Sequence, residues 1–189
     1  MNRPSFAAVL AAVIALAGGL ATAPLPANAA PHSVKVAIVT NLGTIEAVLD
    51  PVHAPITVKN FMHYVDAKFY DGGTFFRAIP NFVIQGGDKP REKDSDAMIP
   101  LETPLKSGLL NVDGALSMAR TSEPNSATSE FFICDGAQPR LDGSMTEPGY
   151  AVFGHVTKNM ELVRRIARLP APGQMLTEPI KIIRVRRIP

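Results

Sequence analysis

Short apolar segments separated by turn residues run through most of this 189-residue chain and constrain its fold more than any other feature. Their length and alternation predict β-strands, whereas only two stretches have helical periodicity. The predicted strands are residues 34–38, 44–49, 74–79, 82–85, 115–119, 130–134, 150–156 and 180–185. Because strands and helices do not alternate regularly, the pattern favours a closed antiparallel barrel or a sandwich over a Rossmann-type sheet.

Two amphipathic helices are predicted beside these strands. Pro55 introduces the first helix, with Thr57 as its N-cap. The apolar stripes expected to pack on the core are Val58, Phe61, Met62, Val65 and Phe69 in the first helix and Leu162, Val163, Ile166 and Leu169 in the second. Between the helices, residues 89–96 predict a charged surface loop, and Pro100 and Pro104 predict an irregular stretch.

Residues 1–29 differ from the rest of the chain and are expected to be a secretory signal peptide. Arg3 precedes an uncharged apolar run over residues 6–20, and Ala27-Asn28-Ala29 fits an A-x-A cleavage pattern. The alternative is an uncleaved N-terminal anchor, although the apolar run is short for a membrane span. We therefore expect a mature domain of residues 30–189, exported to the periplasm and without a stable membrane anchor.

Charge and cysteine content narrow the function classes further. Arg3 is the only charged residue within residues 1–29, so the predicted mature chain carries 18 basic and 17 acidic residues. This near balance argues against nucleic-acid binding. The one cysteine, Cys134, follows an apolar run and is expected to be a buried small hydrophobe. An exported chain without disulfides suits a bacterial periplasm or cell exterior.

Familiar catalytic patterns are missing from the sequence. The four histidines form no H-x-x-x-H pair and have no nearby cysteine, so a zinc site is not expected. Neither a G-x-S-x-G elbow nor a phosphate-binding glycine loop occurs. A reaction that needs no nucleophile, general base, metal or cofactor would suit this chain best.

Residues 74–88 place one cation, Arg77, in an otherwise apolar pair of predicted strands. Strands normally hide charge, so an arginine between Phe76 and Ile79 is expected at a rim or in a site. Phe82 and Gln85 follow at spacings that allow them to face the same surface. The stretch therefore predicts a cation beside apolar and amide side chains.

This stretch closely resembles the core motif of the cyclophilins, the prolyl-isomerase family. The resemblance continues in family order over about residues 34–187, with further dense matches at 114–120, 131–133, 141–143 and 150–154. It implies a closed eight-stranded antiparallel β-barrel capped by two α-helices, and a peptidyl-prolyl cis-trans isomerase that uses no cofactor. The bacterial exported cyclophilins are the most similar branch, because residues 144–149 lengthen a loop that is shorter in eukaryotic members.

The resemblance also implies a role for each site residue. Arg77 would be catalytic and would stabilise the twisted amide. Phe82 would floor a proline pocket, and Gln85 would bind substrate backbone and orient Arg77. The implied substrate-binding residues are Phe82, Val83, Gln85, Ala119, Arg120, Glu130, Phe132, Leu141 and Tyr150. Proline-containing exported or unfolded proteins would be the substrates.

Two positions depart from the family pattern. Glu130 stands where glutamine is usual, so a carboxylate there is able to pair with Arg77 or Arg120 and lower activity. Arg140 stands where many eukaryotic members have tryptophan, so cyclosporin binding is expected to be weak. Glu130 keeps open the alternative of a non-catalytic peptide-binding module or chaperone on the same fold. A hydrolase using unrecognised carboxylates is a third alternative.

Overall fold

The computed structural model describes residues 33–88 and 98–189, which form eight strands and three α-helices. The predicted signal peptide and the predicted loop at 89–96 lie outside the described residues. The strands are β1 Val34–Thr40, β2 Gly43–Leu49, β3 Thr74–Ile79, β4 Val83–Asp88, β5 Ala115–Met118, β6 Phe131–Cys134, β7 Val152–Lys158 and β8 Met175–Ile188. The helices are α1 Pro55–Asp66, α2 Pro104–Ser107 and α3 Met160–Ala167.

The strands close into one antiparallel barrel in the order β1-β2-β7-β5-β6-β4-β3-β8. Closure leaves none of the eight described strands with an unpaired edge, so backbone groups that an open sheet would expose are hydrogen-bonded. The predicted eight-stranded barrel is confirmed, and the sandwich is excluded. In the described part of the chain, no helix is both long and apolar enough to cross a membrane.

Strand alternation sorts the apolar side chains into two clusters. Phe131 and Ile133 of β6 belong to the main core, where Phe61 of α1 contacts Phe131 edge-on at a centroid distance of 5.4 Å. Phe132 and Cys134, which alternate with them, belong to a smaller cluster with Val83, Ala115 and Val152. Neighbouring residues of one strand point to opposite faces of a sheet. The smaller cluster therefore lies on the other face of β6 from the main core.

The start of α1 corrects one prediction. Ala54, not Thr57, occupies the N-cap position, and Thr57 is a fully buried residue inside the helix. The carboxylate of Glu102 accepts hydrogen bonds from the N–H groups of Ile56 at 3.0 Å and Thr57 at 2.8 Å, and from the Thr57 hydroxyl at 2.6 Å. A negative charge at a helix N-terminus is favourable, so a distant carboxylate caps the helix.

The stretch expected to be irregular around Pro104 contains the one-turn helix α2. Proline is compatible with the first helical turn, where its missing N–H is not needed. Gly108 ends this helix with φ +74°, a left-handed conformation that glycine adopts at low cost. Sequence breakers thus mark the two ends of a helix here rather than a continuous loop.

Candidate active site

Three adjacent strands bring a cation, an amide and an aromatic ring into one row. Arg77 of β3 is the register partner of Gln85 on β4, and Gln85 is the register partner of Phe132 on β6. Side chains directly opposite each other on antiparallel strands share a face of the sheet. The row thus begins with a half-buried cation and ends with a buried ring.

A cavity of about 190 Å³ lies on this row. Its lining consists of Arg77, Phe82, Val83, Gln85, Ala119, Arg120, Phe132, Leu141 and Tyr150. Every predicted site residue except Glu130 is therefore part of one cavity wall. The cavity is smaller than the pockets that hold drug-sized ligands, so it suits a single ring or side chain.

The apolar wall is built by loops that pack on the smaller cluster. Phe82 was predicted to begin a strand, but it lies in the turn between β3 and β4, because β4 begins one residue later at Val83. Leu141 ends a 3₁₀ turn, and its carbonyl accepts a hydrogen bond from the Tyr150 N–H at 2.9 Å. The Tyr150 ring then meets Phe132 edge-on at 5.6 Å between centroids. These contacts fix the aromatic side of the cavity.

The guanidinium of Arg77 is held by two glutamines. Its Nη1 donates to Oε1 of Gln85 at 3.2 Å. Its Nε and Nη2 both donate to Oε1 of Gln174, at 3.1 Å and 2.6 Å. Sequence reasoning found Gln85 but missed Gln174, which lies 97 positions from Arg77. The one local signal is a glycine-glutamine pair directly before the closing strand, and nothing in it identifies the partner.

Glu130 lies just outside the cavity lining and contacts it through Gln85. Its Oε2 accepts a hydrogen bond from Nε2 of Gln85 at 2.8 Å. A guanidinium only donates and a carboxylate only accepts, so these two partners determine which end of the amide faces which residue. The Gln85 amide therefore links the carboxylate of Glu130 to the guanidinium of Arg77.

Arg120 also lines the cavity and is held by main-chain oxygens. Its Nε and Nη2 donate to the carbonyl of Gly149 at 3.0 Å and 2.8 Å, and its Nη1 donates to the carbonyl of Thr121 at 2.8 Å. The guanidinium carbon also lies 4.5 Å from the centroid of the Tyr150 ring. Arg120 thus ties the 144–149 loop to the cavity wall.

Cys134 lies in the apolar cluster behind the site and is fully buried, as predicted. Burial, assisted by the carboxylates of Asp142 and Asp113, raises the pKa of this thiol to about 12. The thiolate is the nucleophilic form, so this cysteine is inert near neutral pH. In the described part of the chain, no three His, Cys, Asp or Glu side chains are grouped to hold a metal ion.

A larger cavity, of about 600 Å³, lies between the end of β2, residues 108–112 and β7. Its rim carries the Asp50–His53 pair at 2.8 Å, and no lysine or arginine is among the described residues that line it. Size alone therefore does not identify the site. The smaller cavity is the candidate because a fixed cation, amides and an apolar wall converge on it.

Residues 35–187 match the family described as Cyclophilin type peptidyl-prolyl cis-trans isomerase/CLD. The chain is 45% identical over 153 residues to a peptidyl-prolyl cis-trans isomerase of Acinetobacter baylyi, covering 78% of this chain and 81% of the relative. It is 43% identical over 162 residues to peptidyl-prolyl cis-trans isomerase A of Dickeya dadantii, covering 85% of this chain and 84% of the relative.

Solved structures agree with these sequence relationships. A cyclophilin type peptidyl-prolyl cis-trans isomerase of Cryptosporidium parvum superimposes with a TM-score of 0.73 at 25% identity, covering 84% of this chain and 99% of its own. The same protein crystallised in the presence of the dipeptide Ala-Pro gives a TM-score of 0.72 at 26% identity, covering 82% and 99%. The chain therefore belongs to the cyclophilin-type peptidyl-prolyl cis-trans isomerases, enzymes that interconvert the cis and trans forms of X-Pro peptide bonds.

Proposed function

We propose that Arg77 is the catalytic residue and acts by stabilising the twisted X-Pro amide. The rotation barrier, about 18–20 kcal/mol, comes from amide resonance that is lost as the bond turns. The proline nitrogen then gains a localised lone pair, which a fixed N–H donor stabilises more than it stabilises the planar amide. Such a difference between transition state and ground state is what accelerates a reaction.

One observation carries this proposal: the Arg77 guanidinium is held beside an apolar cavity of single-ring size. Phe82, Phe132 and Leu141 would surround the proline ring and exclude water from it. Gln85 would bind the substrate backbone while it orients Arg77. Arginine suits the donor role because it stays charged and presents its N–H groups in a rigid plane.

We further propose that the substrates are proline-containing segments of exported proteins. The Ala-Pro dipeptide used with the Cryptosporidium relative supports a proline-containing ligand. Removal of residues 1–29 and export of residues 30–189 to the periplasm would bring the enzyme to such substrates. Arg140 is exposed at the 3₁₀ turn that carries Leu141, and it offers no indole ring there, so cyclosporin would bind weakly.

Glu130 is proposed to moderate this activity through Gln85. Its carboxylate accepts a hydrogen bond from the Gln85 amide, which in turn accepts one from Arg77. The negative charge of Glu130 would therefore weaken the positive potential that Arg77 presents to the substrate. The effect of one partly exposed charge is small. Replacement by glutamine keeps an acceptor for Gln85 Nε2 and removes only the charge.

A protease-coupled prolyl-peptide assay of residues 30–189 tests these proposals. Arg77→Ala is expected to lower kcat/KM by about 100-fold, the scale of losing a transition-state hydrogen-bond donor. Glu130→Gln is expected to raise kcat/KM by about twofold, and less at high salt. Glu161→Gln, an exposed carboxylate on α3, serves as the matched control and should change nothing.

The outcomes separate the alternatives. Unchanged activity in Arg77→Ala would overturn the mechanism. A wild-type protein that binds proline peptides without accelerating their isomerisation would be a peptide-binding module instead. Cleavage of the peptide without added protease would indicate a hydrolase. A slower Glu130→Gln variant would show that the carboxylate assists catalysis rather than moderating it.

A further inference from the structure

Gln174 approaches Arg77 from a distant part of the chain. It ends the 3₁₀ turn Pro172–Gln174, directly before β8, whose first residue Met175 is the register partner of Arg77. Its side-chain carbonyl oxygen accepts from both Nε and Nη2 of Arg77, at 3.1 Å and 2.6 Å. Gln85 accepts from the remaining guanidinium nitrogen, Nη1, at 3.2 Å. The guanidinium plane is therefore held along two different edges.

The backbone of Gln174 is in a conformation that residues other than glycine seldom adopt. Its φ is +72°, directly after Gly173 with φ +62°. The left-handed region is adopted freely by glycine and is uncommon for a residue with a Cβ. The conformation is maintained by the bond from the Gln174 N–H to the carbonyl of Ala171 at 2.9 Å. Strained residues of this kind cluster at functional sites.

Stability does not account for this contact. Gln174 is exposed and Arg77 is half-buried, so water is available to replace the bonds between them. A hydrogen bond that water replaces adds little to the net stability of a fold. What water cannot replace is the fixed orientation of a long, flexible arginine side chain. Orientation of a catalytic donor, in contrast, has large effects on rate.

We propose that Gln174 is a positioning residue that fixes the guanidinium plane of Arg77 beside the proline cavity. Gln85 alone would leave Arg77 free to swing about a single hydrogen bond. When both glutamines hold Arg77, its remaining N–H groups have a fixed orientation relative to the cavity. These N–H groups bond to no described residue. This inference rests on the proposed role of Arg77 as the donor to the proline nitrogen.

The kinetic test uses Gln174→Met, which keeps the length and the backbone strain of Gln174 but removes the acceptor. We expect kcat to fall by about 3- to 10-fold while KM changes by less than about twofold, because the donor is misplaced and the pocket is intact. In an Arg77→Ala background the same substitution should have no further effect. Thr177→Val, an exposed polar-to-apolar change on β8, is the matched control and should retain full activity.

Gln174→Gly is the second variant, since it removes the acceptor and also relieves the positive φ. Its melting temperature should equal or exceed that of the wild type while its kcat falls as in Gln174→Met. A kcat loss that accompanies lower stability in both variants would overturn the proposal. So would an equal kcat loss in the Arg77→Ala background, because Gln174 would then act without Arg77.

A spectroscopic arm separates this proposal from the proposed function. The Nε–H signal of Arg77 in ¹⁵N-labelled protein, assigned by its loss in Arg77→Ala, reports whether the guanidinium is held, whatever the protein catalyses. We expect a sharp, slowly exchanging signal in wild type and a broadened, fast-exchanging one in Gln174→Met. An unchanged signal would overturn the positioning role. A held guanidinium in a protein without isomerase activity would instead overturn the role of Arg77 in catalysis.

Discussion

Arg77 and Arg120 line the same cavity, but the chain holds them in different ways. Arg77 is held by the side-chain amides of Gln85 and Gln174. Arg120 is held by the main-chain carbonyls of Gly149 and Thr121 and lies over the ring of Tyr150. A main-chain carbonyl is present whatever residue occupies its position, whereas a side-chain acceptor can be removed by a single substitution. The side-chain anchors of Arg77 suit a donor whose position is finely adjusted, and the main-chain anchors of Arg120 suit a structural role.

We expect this difference to separate the two cations in function, with Arg77 as the proposed donor. Three N–H groups of Arg77 are used by neutral amides, which leave its charge uncompensated toward the cavity. Arg120 donates hydrogen bonds to the 144–149 loop, and its guanidinium lies over the face of the Tyr150 ring. Under the proposed mechanism, equal charge does not mean equal function. The fixed direction of the donors is what distinguishes the two.

Paired lysine substitutions give the largest test of this contrast. Arg77→Lys keeps the charge but loses the planar fork, so kcat/KM should fall by about 10- to 100-fold. Arg120→Lys should lower it by only about 2- to 5-fold, because the main chain of residues 119 and 120 stays in place at the cavity. Both variants are measured in the same coupled isomerase assay. Equal losses would show that the two arginines share the chemistry, and the contrast would fail.

Most of the barrel was predictable because its signals are local. Alternating apolar residues marked the strands, and the motif around Arg77 placed Phe82 and Gln85 within a few positions of it. Contacts that depend on strand register were not predictable in this way. Gln174 meets Arg77 only because β3 pairs with β8, and Glu102 caps α1 only because a loop returns to that helix.

The lining of the cavity was predicted more completely than the hydrogen bonds that hold its charged side chains. Spacing and family resemblance pointed to the residues that form the cavity wall. Neither indicated that Glu130 would contact Gln85, since opposite charges alone favour a direct pair with an arginine. An amide that both donates and accepts is satisfied by lying between the two charges. Such three-residue arrangements follow from geometry, which a residue pattern does not contain.

Gly149→Ala tests the main-chain anchor of Arg120. Gly149 has φ +70°, and an added Cβ would lie 2.7 Å from the carbonyl carbon and oxygen of Asp142. We expect a loss of about 2–3 kcal/mol in the free energy of urea unfolding, since strain and a backbone clash add together. Activity should fall only a few-fold, as for Arg120→Lys.

Gly108→Ala is the matched control for that change. Gly108 has φ +74°, and an added Cβ would meet no atom within 4 Å, so it isolates the backbone strain. Its cost is expected to be about 1 kcal/mol. If the two glycine variants lose the same free energy of unfolding, the close packing of Gly149 against Asp142 contributes nothing.

The smallest expected effect concerns the ring beneath Arg120. Tyr150→Leu removes the face on which the guanidinium lies, and a cation–π contact at a partly exposed site contributes about 0.5–1 kcal/mol. A double-mutant cycle with Arg120→Met, read by urea unfolding, should give a coupling of that size. Tyr150→Phe keeps the ring and should keep the coupling. Because Arg77 is anchored by other side chains, its Nε–H signal should stay unchanged in Tyr150→Leu, and a broadened signal there would show that the two arginines are not held independently.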